Sequence, residues 1–542
     1  MSVTAQASLG DHAADVDAAL AELQRSDIPA RIWRKDHTVW KDDPTEITNR
    51  LGWLRVTGLM AEKIDGLEAF AAEISAAGYQ QVVLLGMGGS SLGAEVLRQT
   101  FGHRPGWPDL IVLDSTVPET IASVTAAIRP ETTLFLPSSK SGTTIEANLL
   151  FRYFRHLVQQ AVGPERAGEH FAFITDAGTP FAALAEKEKA RRLFLNPSDI
   201  GGRYSVLSYF GLVPGALAGI DLRRLLASAE AMRGACAADV PAPQDPGVWW
   251  GACLTAFARR GKDKLTLITS PALASFGLWV EQLIAESLGK EGKGIVPVVR
   301  GPIVPTHLYS QDRLFAYLRL EGDDNAATDS AVAGLKSTGQ PVVVWELRDR
   351  YEIGGEFFYW ELATAVAGAM LKVNPFFQPD VQRAKEATER VLREYVATGS
   401  LPRADFGIAP GQLLEGVPKN AYFAVMAYLE PTPAIDAALQ RLRRAVLERH
   451  GIATTLGYGP RFLHSTGQMH KGGPNTGVFL QITANHERDI AIPGEPYTFG
   501  VVADAQALGD LQTLRSLGRR VAAVRLRQPD AAAIERLTND MT

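Results

Sequence analysis

Between residues 132 and 154 the chain reads TTLFLPSSKSGTTIEANLLFRYF, an apolar run that stops at a cluster of hydroxyl groups and one lysine and then resumes with helical spacing. Thr132 to Leu136 suit a buried strand, and Ile145, Leu149, Leu150 and Tyr153 recur at helical intervals. Ser138, Ser139, Lys140, Ser141, Thr143 and Thr144 fall between them, where free backbone N–H groups and the positive end of a helix dipole meet. One such residue would be an ordinary N-cap. A cluster this dense predicts an anion site, and the absence of G-x-x-x-x-G-K-[ST] spacing points to a phosphomonoester and away from a nucleoside triphosphate.

A second turn, Gly86-Met87-Gly88-Gly89-Ser90-Ser91-Leu92-Gly93, follows the strand-like VVLLG. It fits the dinucleotide pattern G-x-G-x-x-G only loosely, and the one acidic residue in a comparable place, Asp114, comes late. Beside the hydroxyl loop it better suits a sugar lying against the main chain, with Ser90 reaching the phosphate. Three further segments carry charges that could act together. Arg203 follows two glycines in DIGGRYS, Glu286 lies near a helix end in AESLGK, and Lys385 ends NPFFQPDVQRAK. Each alone would be an ordinary solvated charge.

The elements that must hold these groups alternate. From Gln81 to about residue 190, strand, turn and helix follow one another, as VVLLG, LIVLDS, TLFLP and FAFITDAG with their helices, which predicts a parallel sheet covered on both faces. A Pro-rich break at 240–247 precedes a second α/β block, with strands KLTLITS, RLFAYLRL and PVVVWEL and helices near 275–288 and 358–371. It echoes the first, as if two related modules faced each other. After a linker at 398–412 comes a smaller α/β unit with an unusual stretch, FLHSTGQMHKGGPNTG. The first 50 residues read as helical, with Val16, Ala19, Leu20 and Leu23 on one face.

Composition narrows the function classes. The 542 residues are 46% hydrophobic and 21% charged, with a net charge of −5 and no long basic block, so neither nucleic acid nor an anionic membrane is an expected partner. The sequence shows no signal-peptide core and no apolar run of 18 residues, and the expected location is cytoplasmic. Cys236 and Cys253 have neither metal-ligand nor disulfide spacing and read as reduced structural thiols.

Taken in order, GMGGSSLG, SSKSGTTIEA, GGRYSVLS, ESLGK and NPFFQPDVQRAK resemble the glucose-6-phosphate isomerase (phosphoglucose isomerase) family over roughly residues 50–395. The wording, including GEFFYWELATAVAGAMLKVNPF and FLHSTGQMHKGGPNTGVFLQI, looks most like the isomerase half of bacterial transaldolase/glucose-6-phosphate isomerase fusions, with no transaldolase segment expected ahead of Met1. The resemblance implies an α/β fold of two SIS-type doubly wound parallel-sheet domains with a smaller C-terminal α/β domain. The expected boundaries are 1–50 for a helical extension, 51–235 and 236–400 for the SIS domains, and 401–542 for the last unit. It implies Glu286 as the base that moves a proton between C2 and C1, Arg203 as the stabiliser of the enediolate, and Lys385 with Gln378 near the ring oxygen. Gly89, Ser90, Ser139, Lys140, Ser141, Thr143, Thr144 and Gln282 would bind the substrate, its phosphate above all. No metal or cofactor is implied, and a homodimer is.

The chemistry agrees with those residue types. A carboxylate can shuttle the proton and a fixed guanidinium can stabilise the charge that develops. One departure stands out. Where most of the family carries a ring-opening histidine, in a segment resembling Gly354–Tyr359, this chain has Glu356 and Phe357. His470 and His464 become the candidates, with His470 preferred and His307 behind them. A phosphoglucose/phosphomannose isomerase of dual specificity, or a non-catalytic sugar-phosphate-binding SIS protein, are the alternatives. A subunit detached from a transaldolase partner is a further one.

Overall fold

The computed structural model describes residues 5–403 and 407–541. Ala404, Asp405 and Phe406, inside the expected linker, lie outside the described residues. The architecture is α/β, built on three sheets.

The first sheet contains β2 (Gln81–Gly86), β3 (Asp109–Leu113), β4 (Thr133–Ser138), β5 (Ala172–Asp176) and β6 (Arg192–Asn196), all parallel, in the order β3-β2-β4-β5-β6. Val82 to Leu85 and all of β4 are buried, as continuous apolar strands must be when helices cover both faces. The order reverses at β2 and β4. Ligands on such sheets gather outside the carboxyl ends of the strands at this switch, and there the Gly-rich turn leaves β2 and the hydroxyl loop leaves β4.

The second sheet repeats the plan. Strands β7 (Lys264–Thr269), β8 (Val296–Val298), β9 (Arg313–Leu320) and β10 (Val342–Leu347) run parallel in the order β8-β7-β9-β10, and β1 (Gln6–Ser8) joins β10 antiparallel at the edge. The third sheet, β11 (Tyr422–Ala427), β12 (Ala453–Tyr458), β13 (Gly477–Ala484) and β14 (Arg520–Leu526), has the order β12-β11-β13-β14, also all parallel. All three units therefore share one winding, second-first-third-fourth.

Strands β1, β6 and β8 carry too little signal to be read in advance. Two have only three residues, and β6 is an edge strand with Arg192 and Leu195 exposed. The helical start is as expected from Ala13 to Arg25, where Val16, Ala19, Leu20 and Leu23 are buried against helix Pro246–Arg259. Gln6–Ser8 departs from it by pairing with β10. At the centre, helix Ile353–Leu371 is apolar on every side and buried from Ile353 to Met370. Among the described residues, no helix is long and apolar enough to cross a membrane.

Candidate active site

A cleft of ≈ 670 Å³ opens at the carboxyl end of the first sheet. Four of its strands feed it: β2 through Met87–Ser90, β4 through Lys140–Thr144, β5 through Asp176 and Thr179, and β6 through Ser198–Arg203. The second unit contributes Gln282 and Glu286 from helix Phe276–Leu288, then Phe376, Gln378 and Lys385. His464 enters from the third unit, and Glu46, Asn49 and Arg50 enter from the N-terminal segment.

The hydroxyl loop is held by its own side chains. Ser139 Oγ pairs with Thr144 Oγ1 at 2.9 Å and accepts from the Gly142 N–H at 3.1 Å, while Ser141 and Thr143 hydroxyls pair at 2.8 Å. Thr144 is the N-cap of helix Ile145–Val162 but makes no side-chain cap bond, which leaves first-turn N–H groups available to an anion. Lys140 Nζ donates to Asp176 Oδ2 and to the Ser198 carbonyl (2.8 Å). Burial pushes the Asp176 carboxyl up, against the opposing pull of Lys140. Glycine is needed at position 89, where a Cβ would collide with the Gly202 carbonyl. That close approach puts the Gly-rich turn against the Arg203 loop.

Opposite the loop, Arg203 Nε pairs with Glu286 Oε2 at 3.2 Å, and both side chains are more than nine-tenths buried. Arg203 also donates to the Pro375 carbonyl (2.5 Å) and to Gln378 Oε1, so its guanidinium is fixed in place. Gln282 Nε2 donates to Glu286 Oε2 at 3.0 Å from one helical turn away. Lys290, the last residue of ESLGK, is buried and donates to the carbonyls of Asn374 (2.6 Å) and Phe377, anchoring the NPFFQ loop beneath the site.

These contacts explain why the five motifs occur together, and the comparisons agree. The phosphoglucose isomerase family model matches residues 61–293. A glucose-6-phosphate isomerase of Symbiobacterium thermophilum is 30% identical over 352 residues, covering 56% of this chain and 78% of the relative. That of Rubrobacter xylanophilus is 28% identical, over 69% of this chain and 95% of the relative. The chain belongs to the glucose-6-phosphate isomerase family. In fold, a hypothetical protein of Thermus thermophilus matches with a TM-score of 0.62 at 25% identity, over 72% of this chain and 100% of that one. A glucose-6-phosphate isomerase from Chlamydia trachomatis matches with 0.57 at 19%, over 70% and 86%.

Within this phosphoglucose isomerase fold, the cleft gathers Glu286, Arg203, Lys385, Gln378, Gln282, Gly89, Ser90, Lys140, Ser141, Thr143 and Thr144. Two expected residues lie elsewhere. Ser139 is buried, and its hydroxyl is spent inside the loop. His470 does not reach the cleft: helix Gly467–Gly472 carries it inward against Tyr422, Phe462 and Phe479, ring centroids 4.9–6.3 Å away. Burial holds its pKa well below the usual imidazole range, and its Nδ1 has no partner among the described residues. His464, on the preceding turn Arg461–His464, lines the cleft. Its Nε2 lies 2.8 Å from Glu146 Oε1, and burial of that carboxyl, which would raise its pKa, is outweighed by the His464 charge and hydrogen bond, so it is lowered. His307 is not part of the cleft.

Segment Gly354–Tyr359 sits inside the central helix, away from the cleft, with Trp360 Nε1 donating to Glu356 at 3.2 Å. Arg50 is a residue that motif reading missed. It lines the cleft beside Lys140 and Asp176, paired with Glu46 at 2.7 Å. Its segment is bolted to the Asp199 loop by a Gly52 N–H to Asp199 carbonyl bond of 2.8 Å and a Leu51–Ile200 bridge. No local pattern marks it, because Arg50 acquires a role only through that long-range pairing.

Proposed function

We propose that this cleft interconverts glucose 6-phosphate and fructose 6-phosphate through an enediolate, running in either direction and so serving both glycolysis and gluconeogenesis. The observation that carries this reading is the buried 3.2 Å pair of Arg203 and Glu286, facing the hydroxyl loop across one cleft. The phosphate sits on the hydroxyl loop and the first turn of helix Ile145–Val162, with Lys140 and Arg50 supplying positive charge. His464 opens the ring: its imidazolium gives a proton to the ring oxygen, and the neutral imidazole left behind takes the proton of the anomeric hydroxyl. Glu286 then takes the C2 proton of the open aldose and returns it to C1 while the O2 hydroxyl proton passes to O1, a general-base role worth roughly 10²- to 10⁴-fold. As the proton leaves, charge grows on the oxygens of C1 and C2. Arg203, already held by Pro375 and Gln378, stabilises that charge without reorganising. Lys385, which also lines the side cavity with Glu146 and His464, contacts the sugar near its ring oxygen.

The experiment is a coupled assay of the purified chain with fructose 6-phosphate, with mannose 6-phosphate run in parallel. Glucose 6-phosphate formation supports the reading, and comparable turnover of mannose 6-phosphate would extend it to the dual isomerase. Binding of fructose 6-phosphate with no turnover would replace it by a sugar-phosphate-binding role.

A further inference from the structure

His464 reaches the cleft from the third unit, and a buried chain of hydrogen bonds determines how it arrives. Thr116 Oγ1, in the segment after β3, donates to Gln506 Oε1 at 2.7 Å. Gln506 Nε2 donates to Glu146 Oε1 at 2.7 Å, the same oxygen that lies 2.8 Å from His464 Nε2. Thr116, Glu146 and Gln506 are all buried, at 0%, 3% and 3% exposure. Glu146 and Thr116 belong to the first unit, whereas Gln506 sits on helix Phe499–Ser516 between β13 and β14 of the third.

We propose that Gln506 is a positioning residue for ring opening, acting through Glu146 on His464; this rests on the reading of His464 given above. The direction of each bond follows from chemistry. Because the Thr116 hydroxyl donates to the amide oxygen, the amide NH₂ faces Glu146, and an ionised carboxylate accepts from both sides. An accepting Glu146 holds the Nε2 proton of His464 whether the imidazole is charged or neutral and leaves Nδ1 as the atom that exchanges protons. Without the Gln506 donor, Glu146 would lose its one amide side-chain partner and keep the imidazole and its own backbone N–H. It would then be free to turn or to take the imidazole proton, and either change removes the defined tautomer.

A side cavity of ≈ 230 Å³ opens off the cleft here, lined by Glu146, Gln506, His464 and Lys385 among others. Of these, His464 and Lys385 line the cleft as well. Methionine at position 506 would fill the space of the glutamine while offering Glu146 no donor.

Steady-state kinetics on two substrates test the assignment. Fructose 6-phosphate closes into a ring, and 5-deoxyfructose 6-phosphate lacks the hydroxyl needed to do so. For Gln506→Met, kcat on fructose 6-phosphate should fall roughly tenfold with KM within about twofold, and both constants on the deoxy compound should stay unchanged. Thr116→Val, the fallback if the methionine variant does not fold, should give a smaller loss, roughly threefold, with the same selectivity. Gln506→Met combined with His464→Asn should be no slower than His464→Asn alone, since one residue acts through the other. Equal losses on both substrates, or losses that multiply with His464→Asn, overturn the positioning role. If His464→Asn itself slows both substrates equally, the ring-opening reading fails and takes the Gln506 role with it. If His464→Asn is selective and neither Gln506→Met nor Thr116→Val is, only the Gln506 role is lost.

Discussion

Two sets of buried carboxyl groups lie in this protein, and they behave in opposite ways. At the cleft and the side cavity beside it, Glu286 faces Arg203 and Glu146 faces His464, each within hydrogen-bonding distance of a cation or potential cation. In the central helix, Glu356 has only the Trp360 indole, and neither oxygen of Glu361 has a hydrogen-bond partner among the described residues. Exposure does not separate the sets: Glu286 is 7% exposed, Glu146 3%, Glu356 2% and Glu361 0%. Partners do. Burial drives Glu356 up to about 8 and Glu361 well above the usual carboxylate range, whereas the His464 charge overcomes burial and lowers Glu146. Glu356 and Glu361, which burial drives toward the neutral form, are packing elements, whereas Glu286 and Glu146 each have a charged or chargeable partner within reach.

Substitutions should separate the two sets by kind as well as by size. Arg203→Lys, which keeps the charge and loses the planar fork to Pro375 and Gln378, should lower kcat roughly 10²-fold or more, with a smaller effect on KM, as measured by steady-state kinetics on fructose 6-phosphate. Glu146→Gln should lower kcat on that substrate roughly 10- to 100-fold and leave 5-deoxyfructose 6-phosphate nearly untouched. Arg50→Ala should act mainly on binding, raising KM for either sugar phosphate by roughly tenfold. In the helix, Glu356→Gln should leave kcat and KM unchanged.

The helix set also makes a prediction about pH, and its sign differs from that of Glu146. A carboxyl whose folded pKa is raised costs nothing below its unfolded value, then destabilises the fold progressively as pH climbs from about 4.5 to about 8. Glu356→Gln should therefore raise Tm at pH 8 and hardly at all at pH 4. Glu146 has a lowered pKa, so its contribution is present above the unfolded value near 4.5 and is lost as pH falls through the folded one. Thermal melts of the two Glu→Gln variants across pH 4–9 should thus diverge in opposite directions.

The distinction between the sets was only half legible in the residues. The hydroxyl loop, Gly89, Arg203, Glu286 and Lys385 could be found because each lies in a local pattern of strand, turn and helix start, and a parallel sheet delivers such turns to one edge. The three-sheet plan was visible for the same reason, except for β1, β6 and β8, which are short or half-exposed. Histidine was harder. HSTGQMH offers two imidazoles, and only the folded path shows that the one-turn helix at Arg461–His464 ends on Glu146 while helix Gly467–Gly472 buries His470 in rings. Arg50 and Gln506 carried no signal: Arg50 pairs locally with Glu46 and reaches the cleft through the Gly52–Asp199 contact of its segment, and Gln506 has its partners in distant parts of the chain.

Glu286 bears the central claim, that this cleft moves a proton between adjacent sugar carbons. Glu286→Gln keeps the shape and the neighbour Gln282 while removing the base, so fructose 6-phosphate should still bind, by calorimetry, within about threefold of the wild-type Kd, and turnover in the coupled assay should fall by roughly 10²- to 10⁴-fold. Turnover within about threefold of wild type, with binding intact, would contradict the account.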